Sequence, residues 1–179
     1  MPIHRLNHAV LYVRDVTRSV DFYREVLRFD VAFDMGTRAA FLRADGSTND
    51  HDLGLIGVGA RAGASKAGHD TVGLYHLAWE VETLRDLQEL AHRLTEAGAM
   101  VGATDHSTTK SLYGRDPDGL EFEIAWRSSG CSPAEPAVTS ALSAVYWAGV
   151  VTGLGCGRKT SRSAWTRAEL SAFNDSGPI

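Results

Sequence analysis

The sequence predicts an α+β fold: paired βαβββ modules forming a cupped, mostly antiparallel sheet around a metal site, with an irregular C-terminal tail. Three observations predict it. A short apolar run with a histidine at its third position occurs twice, as Leu6-Asn7-His8-Ala9-Val10-Leu11-Tyr12-Val13 and as Leu74-Tyr75-His76-Leu77-Ala78-Trp79-Glu80-Val81. Each run is followed by one helical periodicity and then by short strand-like segments, which is the signature of an internal repeat. Beyond residue 127 that patterning stops.

Each opening run reads as a strand. After the first, Val16, Val20, Tyr23, Val26 and Leu27 fall on one helical face, and Asp15 or Thr17 is placed to cap the helix start. After the second, Leu84, Leu87, Leu90, Ala91 and Leu94 make the same kind of face, and Gly98 suits a helix C-terminus. The strand-like segments of the first unit are Val31-Ala32-Phe33, Ala39 to Arg43 and His51 to Ile56. Those of the second are Met100 to His106, Ser111 to Gly114 and Leu120 to Trp126. Asp45-Gly46 and Asp116-Pro117-Asp118-Gly119 supply turns.

The expected organisation is one domain over residues 1–127, with modules at about 3–58 and 72–127 joined by a Gly-rich linker at 57–71. That linker is not followed by a helix carrying Lys-Ser/Thr, so it reads as a flexible linker or lid rather than a phosphate loop. Residues 128–179 form an extension expected to be partly disordered, with a short helix near Tyr146-Trp147. Cys131 and Cys156 both fall there, without metal-ligand spacing.

Composition excludes several classes of function. The formal net charge is −4 and no basic run exceeds Arg158-Lys159, which argues against a nucleic-acid partner. No apolar stretch is long enough to span a bilayer, and the first residues carry no apolar secretory core, so a cytoplasmic protein is expected.

The chemistry rests on His8, His76 and Glu123. The two histidines occupy equivalent positions in the repeat, and a pseudo-twofold arrangement of the modules would bring them together. On the last strand Glu121, Glu123 and Ala125 share one face, while Leu120, Phe122 and Ile124 share the other. Two imidazoles and one carboxylate make a facial triad with open coordination positions, which suits non-haem Fe(II). Taken singly, a strand histidine is more often a core group and a strand glutamate a solvated one; their matched placement favours one metal site. Trp79 and Tyr12 read as core residues, Phe41 as a residue within reach of the pocket mouth, and His4 and His92 as surface groups.

One stretch is more specific: Thr104-Asp105-His106, five residues, Leu112-Tyr113, two residues, Asp116-Pro117-Asp118-Gly119, three residues, Glu123. With the repeat, it resembles the vicinal oxygen chelate superfamily, which includes glyoxalase I, fosfomycin and bleomycin resistance proteins and extradiol dioxygenases. Within that superfamily the stretch fits the ring-cleavage pattern of single-domain, catechol 2,3-dioxygenase-like extradiol enzymes. The resemblance implies that His8, His76 and Glu123 ligate the metal and that His106 and Tyr113 contact substrate. His51, in His51-Asp52-Leu53, would be the acid–base histidine, with His69 as the alternative because the spacing to His76 departs from the family. Aligning the last strands of the two modules sets Gly54 opposite Glu123, so the fourth carboxylate of glyoxalase I-like members is missing.

The implied activity is Fe(II)-dependent cleavage of a catechol with insertion of both atoms of O₂, with Mn(II) or another divalent metal as alternatives to iron. The implied partners are a small aromatic substrate, O₂ and a second copy of the chain in a homodimer or higher oligomer, with the triad shared between copies or contained in one. Two other readings belong to the same superfamily: a glyoxalase-like lyase or isomerase, epimerase or thiol transferase, and a drug-sequestering binding protein.

Overall fold

The computed structural model describes residues 2–68, 70–105 and 109–127. The first module runs β1 (Ala9–Val13), α1 (Val16–Glu25), β2 (Asp30–Asp34), β3 (Ala39–Arg43) and β4 (Leu53–Gly57). The second runs β5 (His76–Val81), α2 (Leu84–Glu96), β6 (Met100–Asp105), β7 (Thr109–Arg115) and β8 (Glu121–Arg127). This is βαβββ twice. The strands form two four-stranded sheets of matching order, β1-β4-β3-β2 and β5-β8-β7-β6. In each, the first and last strands of the module pair in parallel and the other pairs are antiparallel. The expected tail helix, both cysteines, His69 and His106 lie outside the described residues.

Local chemistry sets the helix ends. Asp15 caps α1, its carboxylate accepting from the Arg18 backbone N–H. Thr83 and Asp86 form a reciprocal capping box on α2. Gly98 follows α2 with φ of 63°, the left-handed conformation that stops a helix. Arg28 takes the same conformation after α1, with φ of 66°. Strand parity sorts the faces: Leu11 and Val13, Leu42, Leu53 and Leu55 point inward in one sheet, and Leu112, Phe122 and Ile124 in the other, all buried. Tyr12 corrects the expectation that it is core. It shares the period-two face of His8 and Val10 and is 73% exposed, whereas Trp79 packs inward against Phe29.

One apolar cluster runs through both modules, and α1 is the joint. Phe22 meets Phe122 with ring centroids 6.1 Å apart, and Phe29 meets Trp79 edge-on at 5.1 Å. The Tyr23 hydroxyl donates to buried Asp116 at 3.3 Å. Burial pushes the Asp116 carboxyl up, although N–H groups of Leu120 and Asp118 partly compensate. At the C-terminal end of β1, Arg14 bonds Asp118 through both its backbone N–H (2.9 Å) and its guanidinium (2.7 Å). The modules are thus held through α1 and this end of β1. β1 and β5 remain the outer strands of their sheets.

Candidate metal centre

The second sheet carries three of the expected site residues on one face. His76 opens β5, and the parallel register sets Ala78 opposite Glu123. Glu123 therefore lies on the diagonal from His76 on the same face, and its Oε2 sits 3.1 Å from His76 Nε2. Both side chains are largely covered, at 24% and 15% exposure. Antiparallel pairing sets Tyr113 of β7 directly across from Glu123. Burial raises the Tyr113 hydroxyl above its ordinary pKa, with the charge of Glu123 and the neighbouring Tyr75 adding to it. The hydroxyls of Ser111 and Thr104 work in the opposite direction. Tyr113 therefore stays a neutral hydrogen-bond donor at physiological pH.

The first sheet carries His8 and His51. Their rings lie 4.6 Å apart. Neither is inside a strand: His8 immediately precedes β1, and His51 stands two residues before β4. The loop between β3 and β4 holds them there. Asp52 accepts from the Ala44 N–H (2.9 Å), the Ser47 hydroxyl (2.8 Å) and the Asn49 amide (2.7 Å). Partial burial works to raise the Asp52 pKa, but these donors outweigh it and hold the carboxyl below its usual value. Asn49 donates also to the Asn7 carbonyl, and the Asp52 carbonyl accepts from the Ala9 N–H, so the loop fixes the backbone on both sides of His8. His8 Nδ1 lies 2.6 Å from Asn7 Oδ1.

The structure thus forms two half-sites, His76–Glu123–Tyr113 and His8–His51. Within one chain it does not bring them together. Among the described residues, no three His, Cys, Asp or Glu side chains are grouped closely enough to hold one ion. The packing of α1 on the second module accounts for this, because it joins the modules away from His8. The repeat register is nevertheless kept: Val10 pairs Gly54 as Ala78 pairs Glu123, so Gly54 stands where a second carboxylate would complete the symmetry. His92 pairs with Glu96 on the exposed face of α2, and His4 is exposed, as expected.

The donor set fits a divalent metal. His76 turns Nε2 toward the Glu123 carboxylate, leaving that nitrogen and an anionic oxygen side by side as a ligand pair, while its other ring nitrogen, Nδ1, is buried with no hydrogen-bond partner among the described residues. Sequence reasoning did not single out Tyr75, whose ring lies 4.6 Å from that of His76. The available signal was its position in the repeat, where it replaces Asn7.

Comparison with known proteins agrees with this architecture. The family model described as Glyoxalase/Bleomycin resistance protein/Dioxygenase superfamily matches residues 5–124. The chain is 31% identical over 159 residues to a catechol-2,3-dioxygenase of Bacillus subtilis (strain 168), covering 87% of this chain and 54% of that one. It is 32% identical over 121 residues to biphenyl-2,3-diol 1,2-dioxygenase 3 of Rhodococcus globerulus, covering 67% of this chain and 62% of that one. The chain therefore spans between about half and two thirds of the length of these relatives. The crystal structure of a glyoxylase/bleomycin resistance protein/dioxygenase domain from Frankia sp. EAN1pec superposes with a TM-score of 0.59 at 25% identity, over 73% of this chain and 96% of that one.

Proposed function

The chain belongs to the Glyoxalase/Bleomycin resistance protein/Dioxygenase superfamily, and from that premise we propose that it is a metal-dependent extradiol dioxygenase acting on a catechol-type substrate. The observation that carries this reading is the His76–Glu123 pair, with Nε2 and Oε2 3.1 Å apart, and Tyr113 across the strand from Glu123. His76 and Glu123 would supply two metal ligands and His8 the third, with Fe(II) the best match to two imidazoles and one carboxylate. When bound, such an ion supplies Lewis acidity that lowers the pKa of a catechol hydroxyl, and open positions at which substrate and dioxygen are held together. The curated names of the relatives support the dioxygenase class, and the absence of a carboxylate at Gly54 disfavours a four-ligand, glyoxalase-like centre.

The third ligand comes from a second copy. Each chain carries both half-sites, and β1 and β5 are sheet edges. Near them Val10, Tyr12, Leu74 and Tyr75 are each at least half exposed, an arrangement that favours self-association. In a twofold pair, His8 and His51 of one protomer face His76, Glu123 and Tyr113 of its partner, and two equivalent sites result. Tyr113 would donate a hydrogen bond to a substrate oxygen. His51, adjacent to His8, would move the proton during cleavage, a role open to an imidazole because it can both accept and donate one. His106, outside the described residues, would be the second substrate contact.

The test is anaerobic loading with Fe(II), followed by oxygen uptake and ultraviolet–visible detection of a ring-opened product with a panel of catechols. Uptake that depends on both iron and catechol is expected. Iron that binds without any turnover across the panel would remove the dioxygenase reading and leave another metal-dependent reaction.

A further inference from the structure

His8 and His76 hold equivalent places in the repeat, but their polar surroundings differ. His76 has a carboxylate on the neighbouring strand, with Nε2 3.1 Å from Glu123 Oε2. The matching register position in the first sheet is Gly54, which offers no side chain. The residue before each histidine differs as well. Tyr75 lays its ring 4.6 Å from that of His76, whereas Asn7 brings its side-chain oxygen to 2.6 Å from His8 Nδ1.

That contact decides where the His8 hydrogen sits. An amide oxygen only accepts hydrogen bonds, so the ring nitrogen facing it carries the hydrogen. A neutral imidazole has one N–H, and Nε2 therefore keeps a free lone pair, which is what a metal ion binds. Neutral imidazole side chains in water prefer the opposite tautomer, with the hydrogen on Nε2 and no lone pair to offer there. Gly54 supplies no carboxylate to act on His8, and the Asn7 amide is the group that reverses the preference.

Asn7 is exposed, and a hydrogen bond in water competes with solvent, so its effect depends on a backbone already in position. The structure provides that. The Asn7 carbonyl accepts from the Asn49 side-chain amide at 2.8 Å, and the same amide donates to Asp52 at 2.7 Å. On the far side of His8, the Ala9 N–H donates to the Asp52 carbonyl at 2.9 Å. Arg5 donates to Thr48 of the same loop, also at 2.9 Å. The chain from Arg5 to Ala9 is thus laced to the loop before β4.

We propose that Asn7 is a positioning residue: its side-chain oxygen holds His8 as the Nδ1–H tautomer and so makes Nε2 the metal-ligating nitrogen. The tautomer is a property of the chain alone, and the ligand half of the proposal rests on the metal-centre reading above. Partners of this kind change metal affinity about 10- to 100-fold, and an exposed one belongs at the lower end.

Two readouts on the full chain test it, and neither uses a substrate or oxygen. In metal-free protein, ¹⁵N–¹H correlation spectra of neutral histidine rings show which nitrogen carries the hydrogen, with His8 assigned from the spectrum of His8→Ala. Wild-type His8 should be the Nδ1–H tautomer. Asn7→Leu keeps the bulk but loses the acceptor, and should move His8 toward Nε2–H. Asn7→Asp keeps an acceptor oxygen and should retain Nδ1–H. In Co(II) titrations followed by visible absorption, Asn7→Leu should bind about tenfold more weakly than wild type, with thermal unfolding and oligomeric state unchanged. Wild-type His8 found as Nε2–H overturns the proposal without any variant, because the Asn7 amide then turns its NH₂ to the ring. An unchanged tautomer in Asn7→Leu, or undiminished Co(II) binding by it, overturns the proposal and leaves the metal reading standing. If wild type binds no Co(II) while the tautomer follows Asn7, the metal reading falls and the control of the His8 tautomer stands.

Discussion

Mixing two inactive variants gives the sharpest test of a site divided between copies. His8→Ala removes a proposed ligand from one half-site, and Glu123→Ala removes a proposed ligand from the other. A homodimer of either variant carries the defect in both of its sites. In a mixed dimer, one site receives both defective halves and the other receives two intact halves. Random exchange makes about half of the dimers mixed, so about a quarter of all sites should be intact. The expected result is that each variant alone is inactive, while an equal mixture recovers about 25% of wild-type iron-dependent oxygen uptake. Tightly bound iron per chain should recover in the same proportion. Subunit exchange is verified by native mass spectrometry of differently tagged chains. Mixed dimers that form without any recovery of activity or of bound iron would refute the shared site, because only a centre contained in one chain behaves so.

Three further outcomes follow from the local geometry. Asp52→Ala leaves donors from Ala44, Ser47 and Asn49 unpaired and should cost about 1–3 kcal/mol in denaturant unfolding at neutral pH. Because the folded-state pKa of Asp52 is lowered, its contribution is present above the unfolded carboxylate value and is lost as pH falls through the folded one. The gap between wild type and variant should therefore narrow in acid, and a gap that widens there would contradict the assignment. Tyr113→Phe removes the hydroxyl facing Glu123 and should lower kcat/KM about 10- to 100-fold, with little change in the shape of the pH profile at neutral pH, because the raised pKa keeps the tyrosine protonated there. Gly114→Ala would set a Cβ 2.4 Å from Phe122 Cζ, across the strand pair, and should destabilise by about 1–3 kcal/mol as that buried ring is displaced; unchanged thermal unfolding would show that Phe122 has room to move.

The fold was largely legible because each module repeats the same local rules. Apolar spacing marked α1 and α2, period-two alternation marked the buried face of β8, and Gly98 marked a helix end. The same rule, applied strictly, also places Tyr12 beside His8 and Val10 on the outer face, where the structure has it. Arg28 shows where local reading stops. It adopts the left-handed conformation of Gly98 without a glycine to announce it, and only its place in the repeat identifies it. The pairing of His76 with Glu123 was legible for a related reason, since strand parity and parallel register together fix which residues share a face.

The relation between the two sheets follows other rules. It depends on Phe22 against Phe122, Phe29 against Trp79, Tyr23 on Asp116 and Arg14 on Asp118, contacts between residues far apart in sequence. No periodicity encodes such pairings, so a symmetric repeat does not by itself bring His8 to His76. The repeat also conceals its own most useful asymmetry. Glu123 and Gly54 hold the same register position in their modules, yet one offers a carboxylate and the other no side chain. In the second sheet that position presents a carboxylate beside His76 and Tyr113. In the first, a Cβ would stand 3.2 Å from Val10 Cγ2 and 3.4 Å from the Phe41 ring, so apolar neighbours close over the position. Divergence at this single position makes the two sheets chemically unlike where the repeat makes them geometrically alike, so matched register does not by itself imply two matched sites.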